Sequence, residues 1–290
     1  MSLQLAVGVI FLTVVPATTI IYIRFIYIFL RFKKYRKLEC YQLMIQIGIM
    51  DCAISPGHIA IGLVHLLGIE SLQIADAFLT LFIVVGKMEE FIYVVLALDR
   101  LRVICGLQYP KMIHTVIIVL TWAYGLAQIA VLVIPCCEIS VRPGFFPPVL
   151  DISRPLGFRV FVLTGYIYVG SLFVNFALYV VIVAYISWKK RQGSSSTSST
   201  ELNILAYAVL KFLIDLGIFI PSRYLEMSNP TIAFVILLLN TTKLVLVPPV
   251  LYLALFKSAR AEFFCINQQT VTSVVSLQKA TISLQRSSKN

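Results

Sequence analysis

The sequence predicts an all-α membrane protein: a bundle of seven transmembrane helices with an extracellular N-terminus and a cytoplasmic C-terminus. Three observations predict it: a surplus of apolar residues, seven apolar runs of spanning length, and basic residues gathered on one side of those runs. Hydrophobic residues are 59% of the 290 and charged residues 13%, with a mean hydropathy of +0.92. A soluble domain carries about a quarter charged residues, so this chain has too few to face water on all sides. At about 150 residues per soluble domain the length would suggest two domains, but the runs suggest one continuous bundle over 1–265.

A helix crossing the ~30 Å hydrocarbon core needs about 20 mainly apolar residues. The segments 5–30, 40–64, 76–99, 112–135, 159–187, 202–223 and 231–255 meet that need. The first lacks a basic n-region and is too long for a signal peptide. The basic stop Arg31-Phe32-Lys33-Lys34-Tyr35-Arg36-Lys37 follows it, so it reads as an uncleaved span. The fourth and fifth are the clearest spans, since 112–135 and 160–188 contain no Lys, Arg, Asp or Glu. The second, third, sixth and seventh carry isolated charges.

The connections have their own signals. The outer loop near 136–158, with Pro143, Pro147, Pro148 and Pro155, reads as irregular and as a partial cap on the bundle. Gln192 to Thr200 is nearly all Ser, Thr and Gly and reads as a flexible third inner loop. Past the last span, 256–264 mixes basic and aromatic residues at roughly helical spacing, which suits a short helix on the inner membrane face. Cys265 is then a candidate for palmitoylation, and 266–290 reads as a disordered cytoplasmic tail.

Orientation follows from the basic residues. With the N-terminus outside, the inner segments hold 16 Lys and Arg and the outer side holds four, Arg142, Arg154, Arg159 and Arg223. The same clustering accounts for a net charge of +11 without invoking nucleic acid. The six cysteines form no C-x-x-C pair and no zinc spacing. His58, His65 and His114 do not cluster with acids, and neither a nucleophile motif nor a Gly-rich phosphate loop occurs. Neither an enzyme nor a bound cofactor or metal is expected.

Ionisable residues inside a membrane are costly and are functional candidates by default. The spans contain Asp51, Lys87, Glu89, Glu90, Lys211, Asp215 and Lys243. At 1.5 Å per residue, Asp51 and Lys211 lie about 18 and 15 Å from the inner ends of their spans. Glu90 and Lys243 lie about 21 and 20 Å from the outer ends of theirs. Lys87 and Glu90 are i, i+3 neighbours and Lys211 and Asp215 are i, i+4 neighbours, so each pair shares a helix face. The plain reading is two self-neutralising pairs. The sharper one is a polar network of Asp51, Lys87, Glu90, Lys211, Asp215, Asn240 and Lys243 that couples an outer pocket to the inner side. The pocket itself is not readable, since Tyr166, Tyr168 and Phe173 serve equally well as packing or lipid-facing residues. Trp122 reads as a packing residue.

Two motifs stand at inner helix ends. The third span closes on Val94-Val95-Leu96-Ala97-Leu98-Asp99-Arg100-Leu101-Arg102. Its acid–arginine pair resembles the D/E-R-Y motif of rhodopsin-like receptors, with Leu101 in place of the aromatic residue. In that pairing Asp99 holds Arg100 at rest and releases it toward a partner. The seventh span closes on Val247-Pro248-Pro249-Val250-Leu251-Tyr252, which resembles N-P-x-x-Y with Pro248 in place of the asparagine. Pro249 frees a backbone carbonyl and kinks the helix, and Tyr252 lies one turn further inward. Each motif has a plainer account, a snorkelling arginine and an interfacial tyrosine beside an ordinary kink.

With these motifs, Cys40-Tyr41-Gln42-Leu43-Met44 and Gly48-Ile49-Met50-Asp51 make the chain resemble the nematode serpentine chemoreceptors of the rhodopsin-like superfamily, especially the class T group. The resemblance implies a plasma-membrane receptor, in cilia of sensory neurons, for an environmental small molecule or peptide. Its implied partners are a heterotrimeric G protein and membrane lipids. One departure is that no cysteine stands near Asp76 to clamp the third helix to the outer loop, where Cys136 and Cys137 lie.

Two other functions remain open. Lys243, midway along the seventh span, suggests a retinal-binding opsin. It stands six residues before Pro249 rather than the seven of an opsin, however, and no acid occupies the usual counterion place. A transporter or channel would favour inverted repeats or paired broken helices, and the sequence shows no such symmetry.

Overall fold

The structure is a computed structural model that describes residues 3–68, 73–132, 139–142, 145–150, 155–192, 199–224 and 229–264. The helices in chain order are α1 (Leu3–Arg31), the single turn α2 (Lys33–Arg36), α3 (Glu39–Leu67), α4 (Gln73–Cys105) and α5 (Met112–Leu132). A hairpin of β1 (Ile139–Arg142) and β2 (Phe145–Leu150) follows. After it come α6 (Pro155–Arg191), α7 (Ser199–Tyr224), α8 (Pro230–Thr241), a π segment (Thr242–Leu246), α9 (Val247–Leu255) and α10 (Lys257–Phe263). The run from α8 through α9 is one continuous helical rod, so seven long rods form the bundle among the described residues.

Six rods are long and apolar enough to cross a membrane. The other, α4, has 33 residues but carries Lys87, Glu89 and Glu90 near its middle. It lies against α3, α5, α6 and α7 and buries Glu89 and Glu90 among them. Protein thus surrounds those charges, the arrangement expected of ionisable groups at membrane depth. The outer faces are apolar instead: Met112, Leu126, Phe158, Leu163 and Phe173 are all exposed. Tyr166 and Phe173 are on this lipid-facing surface, and so is Trp122, against the expectation that it packs inside.

Local chemistry sets the ends of several rods. Gly68 closes α3 at φ 65°, a left-handed conformation that a Cβ disfavours, and its N–H bonds Val64 O. Gly106, also left-handed at φ 67°, follows α4, and Leu107 N bonds Arg102 O. Asn229 caps α8, its side chain accepting from Thr231 N at 2.9 Å, with Pro230 at the first helical position. The charge-bearing termini around Arg31, Glu39, Arg100 and α10 form one end of the bundle, and the hairpin covers the other.

The expected irregular loop is a β-hairpin in its central part. Ile139 pairs with Leu150, Ser140 with Val149 and Arg142 with Phe145, and the register slips in between. Pro147 and Pro148 fall at the slip, because neither can donate to a ladder. Phe146 turns inward against His65 (5.1 Å between ring centroids) and Phe234 (5.6 Å), so the hairpin does plug this end. Residues 193–198, Cys136, Cys137, Cys265 and 266–290 lie outside the described residues.

Candidate functional site

The site is a buried ionic cluster with a chain of tyrosines leading from it toward Arg100. Helix α7 supplies its spine. Asn203, Tyr207, Lys211 and Asp215 recur every four residues, so they share one face of the helix, and each reaches a neighbouring element. Asn203 Nδ2 donates to Leu255 O at 3.0 Å, and the Tyr207 hydroxyl donates to the Tyr252 hydroxyl at 3.3 Å. Lys211 Nζ donates to both Asp215 oxygens at 2.9 Å.

Around Lys211 the charges converge. Its Nζ lies 3.6 Å from Glu89 Oε1 and 4.9 Å from the centre of the Tyr93 ring. Lys243 Nζ lies 3.8 Å from Asp215 Oδ1. Lys211, Asp215 and Glu89 are respectively 1%, 2% and 1% exposed. Such charges persist in a low-dielectric interior only when matched by opposite charge. Asp51 is within electrostatic reach of Glu89, Lys211 and Asp215, and the Tyr22 hydroxyl stands beside its carboxylate.

The predicted network is regrouped rather than reproduced. Lys87 and Glu90 share a face but form no ion pair. Lys87 Nζ donates instead to Thr164 Oγ1 at 2.7 Å, because its chain points toward α6. Asn240 turns back on its own helix, donating to Ile236 O at 3.0 Å, and stays outside the cluster. Glu89, absent from the expected network, takes the place beside Lys211.

From the cluster, contacts run toward the Arg100 end. The Tyr93 and Tyr207 hydroxyls are 3.2 Å apart, and Tyr207 stacks on Tyr252 with centroids 5.0 Å apart. Tyr252 is fully enclosed, with Phe25 at 5.3 Å and Phe29 at 5.9 Å. Tyr93 and Tyr207 were not singled out from the sequence, and Glu89 was named there as an intramembrane charge but not as a member of the network. The four-residue polar spacing on α7, and the matching Glu89–Tyr93 step on α4, are the signals that carry them.

The expected proline kink takes the form of a π segment that ends just before Pro248. Leu244 O would bond residue 248 in an α-helix or residue 249 in a π-helix. Both are prolines without an N–H. The Tyr22 hydroxyl of α1 supplies the missing donor at 3.2 Å. Lys243 belongs to the same segment, so backbone irregularity and buried charge coincide.

At the Arg100 end, Asp99 and Arg100 are buried and paired with each other, Nε donating to Oδ2 at 3.2 Å. Beside them Glu39 accepts from His114 Nδ1 at 2.5 Å and lies 3.8 Å from both Arg102 and Lys111. The Tyr109 hydroxyl donates to Leu98 O at 2.7 Å. Burial, with Asp99 nearby, pushes its pKa above the ordinary value, which keeps the proton on this donor. An open cavity of about 440 Å³ borders Asp99, Arg100 and Arg102.

A second cavity, of about 410 Å³, lies at the hairpin end between α4, α6, α7 and α8, under Pro148. Phe82, Phe161 and Phe219 wall it, and Lys87, Glu90, Asn240 and Lys243 face it. Tyr168, considered earlier with Tyr166 and Phe173, lines it while the other two do not. The hairpin-end cavity meets the cluster at Lys243, and the other cavity lies at the Arg100 end toward which the tyrosines lead.

No family model and no curated protein matches this chain. Among solved structures, squid rhodopsin superposes with a TM-score of 0.72 over 92% of this chain and 86% of that one. The fold is similar to that of squid rhodopsin. At 14% identity the likeness establishes the fold, an all-helical membrane-type bundle.

Proposed function

We propose that the chain is a G-protein-coupled receptor. On this reading it binds an environmental small molecule or peptide at the hairpin end and activates a heterotrimeric G protein at the Arg100 end. The observation that carries the reading is the contact path that leaves the hairpin-end cavity and runs toward the Arg100 end: Lys243, Asp215, Lys211, Tyr93, Tyr207 and Tyr252. A ligand that alters the position of Lys243 or Glu90 changes the electrostatics of groups already linked to Tyr252. Pro249 and the π segment provide the joint, and Arg100, held by Asp99, is the group released to the G protein.

Charge distribution favours an outside N-terminus, and the motif resemblance favours a nematode chemoreceptor, class T, at the plasma membrane of sensory cilia. Two epitope tags test the topology. In intact cells the N-terminal tag is expected to bind antibody and the C-terminal tag to be shielded until permeabilisation; the reverse labelling would overturn the orientation. Enrichment of tagged protein in sensory cilia is the expected localisation. In a ligand screen read by a G-protein-dependent second messenger, Arg100→Ala is expected to remove the response without removing surface expression. A ligand-gated current or uptake with no G protein would point to a transporter instead.

A second reading, a retinal-binding protein, has one observation behind it: Lys243 faces the hairpin-end cavity with Asp215 3.8 Å away as a ready counter-ion. Its mark would be a visible absorption band after reconstitution with retinal, lost in Lys243→Ala.

A further inference from the structure

Three lysines, Lys87, Lys211 and Lys243, project into the interior of the bundle, and their surroundings differ. Lys211 has Asp215 and Glu89, and Lys243 has Asp215. Lys87 has only the neutral hydroxyl of Thr164, and no carboxylate comes within ion-pair distance of it among the described residues. Glu90, three residues further on, faces the same cavity without pairing to it. Lys87 is half-buried; a lysine partly withdrawn from water gains from a compensating negative charge, and beside this one there is about 410 Å³ of empty space. That volume falls in the range of small-molecule sites.

We propose that Lys87 is the anion-binding group of the hairpin-end cavity, and that the ligand is a small monocarboxylic acid with an apolar body. The carboxylate pairs with Lys87 Nζ and accepts from Thr164 Oγ1, whose hydroxyl turns to it from Phe161 O, where it donates at 3.3 Å. The apolar body lies against Phe82, Phe161 and Phe219. Glu90, which lines the same cavity from the same face of α4, repels a second negative charge, so a dicarboxylate is excluded. This rests on the cavity being the ligand site of the receptor proposed above.

The test is direct binding to the purified full-length chain in nanodiscs, with empty nanodiscs correcting for partition into lipid. The probes are octanoic acid, octanol, methyl octanoate, octylamine and octanedioic acid. Octanoate is expected to bind at least tenfold more tightly than the alcohol or ester, with the amine and the diacid weaker still. Lys87→Gln is expected to narrow the acid-over-alcohol preference to below threefold, and Lys87→Arg to retain most of it. The Arg variant, with unfolding midpoints for all three proteins, separates lost selectivity from lost folding. Equal binding of acid and alcohol, unchanged selectivity in Lys87→Gln, or binding by none of the five probes would each overturn the proposal. No G protein is present, so failure of nucleotide exchange would count against the receptor reading and leave this result standing.

Discussion

Lys211 carries an unusual burden for one side chain. It is the only described cation in contact with two buried carboxylates, Asp215 and Glu89, and its ammonium also covers the Tyr93 ring. Removing one member of a buried ion group leaves uncompensated charge and costs about 3–5 kcal/mol. Lys211→Met is therefore expected to lower the unfolding midpoint in detergent sharply, and so is Asp215→Asn, which leaves Lys243 without its carboxylate. An unchanged midpoint in either variant would contradict this account of the cluster. Tyr207 plays a different part. Tyr207→Phe keeps the stack on Tyr252 but removes the hydroxyl between Tyr93 and Tyr252, a change of about 1 kcal/mol. That is enough to shift a two-state balance about fivefold, so weakened G-protein activation with unchanged ligand binding is expected. The sequence placed Lys211 beside Asp215 because i, i+4 spacing is local. It could not choose Glu89 over Glu90 as the third member, because that depends on how α4 is rotated against α7.

Among the elements, the rod from α8 to α9 departs most from a plain helix, and the reason is local. Two consecutive prolines deprive Leu244 O of its partner in either helical register, and Tyr22 of α1 replaces it. Tyr22→Phe leaves that half-buried carbonyl without its donor, at a cost of about 1 kcal/mol. A drop in the unfolding midpoint is expected, while Tyr27→Phe on the exposed face of α1 should change it little. The packing of α3 on α4 has a similar critical point at Gly57. A Cβ there would lie 2.6 Å from Phe82 Cβ and 2.8 Å from Phe78 O. Gly57→Val is expected to separate the helices and lower surface expression; normal expression would contradict so close an approach. Prolines 248 and 249 announced an irregularity in the sequence. They did not announce a π segment or its donor, because the donor comes from a helix more than 200 residues away in the chain.

At the scale of the whole molecule, apolar runs of spanning length made the helical bundle legible, since hydropathy is a property of consecutive residues. The hairpin over 139–150 was not legible: its prolines read as loop residues, and only the inward packing of Phe146 on His65 and Phe234 gives the strands a purpose. The regrouping of charges was hidden for the same reason, since residues share depth in sequence but share contacts only after packing. What the bundle achieves is a polar path through an apolar body, from a cavity under the hairpin to Tyr252, on the way to the end that holds the Asp99–Arg100 pair. Nucleotide exchange on a heterotrimeric G protein, driven by the full-length chain in nanodiscs, tests that path most directly when ligand binding is measured in parallel. Ligand-stimulated exchange is expected in the unaltered protein, reduced exchange in Tyr207→Phe and none in Arg100→Ala, all three binding ligand alike. Undiminished exchange in Arg100→Ala, or ligand binding that never produces exchange, would contradict it.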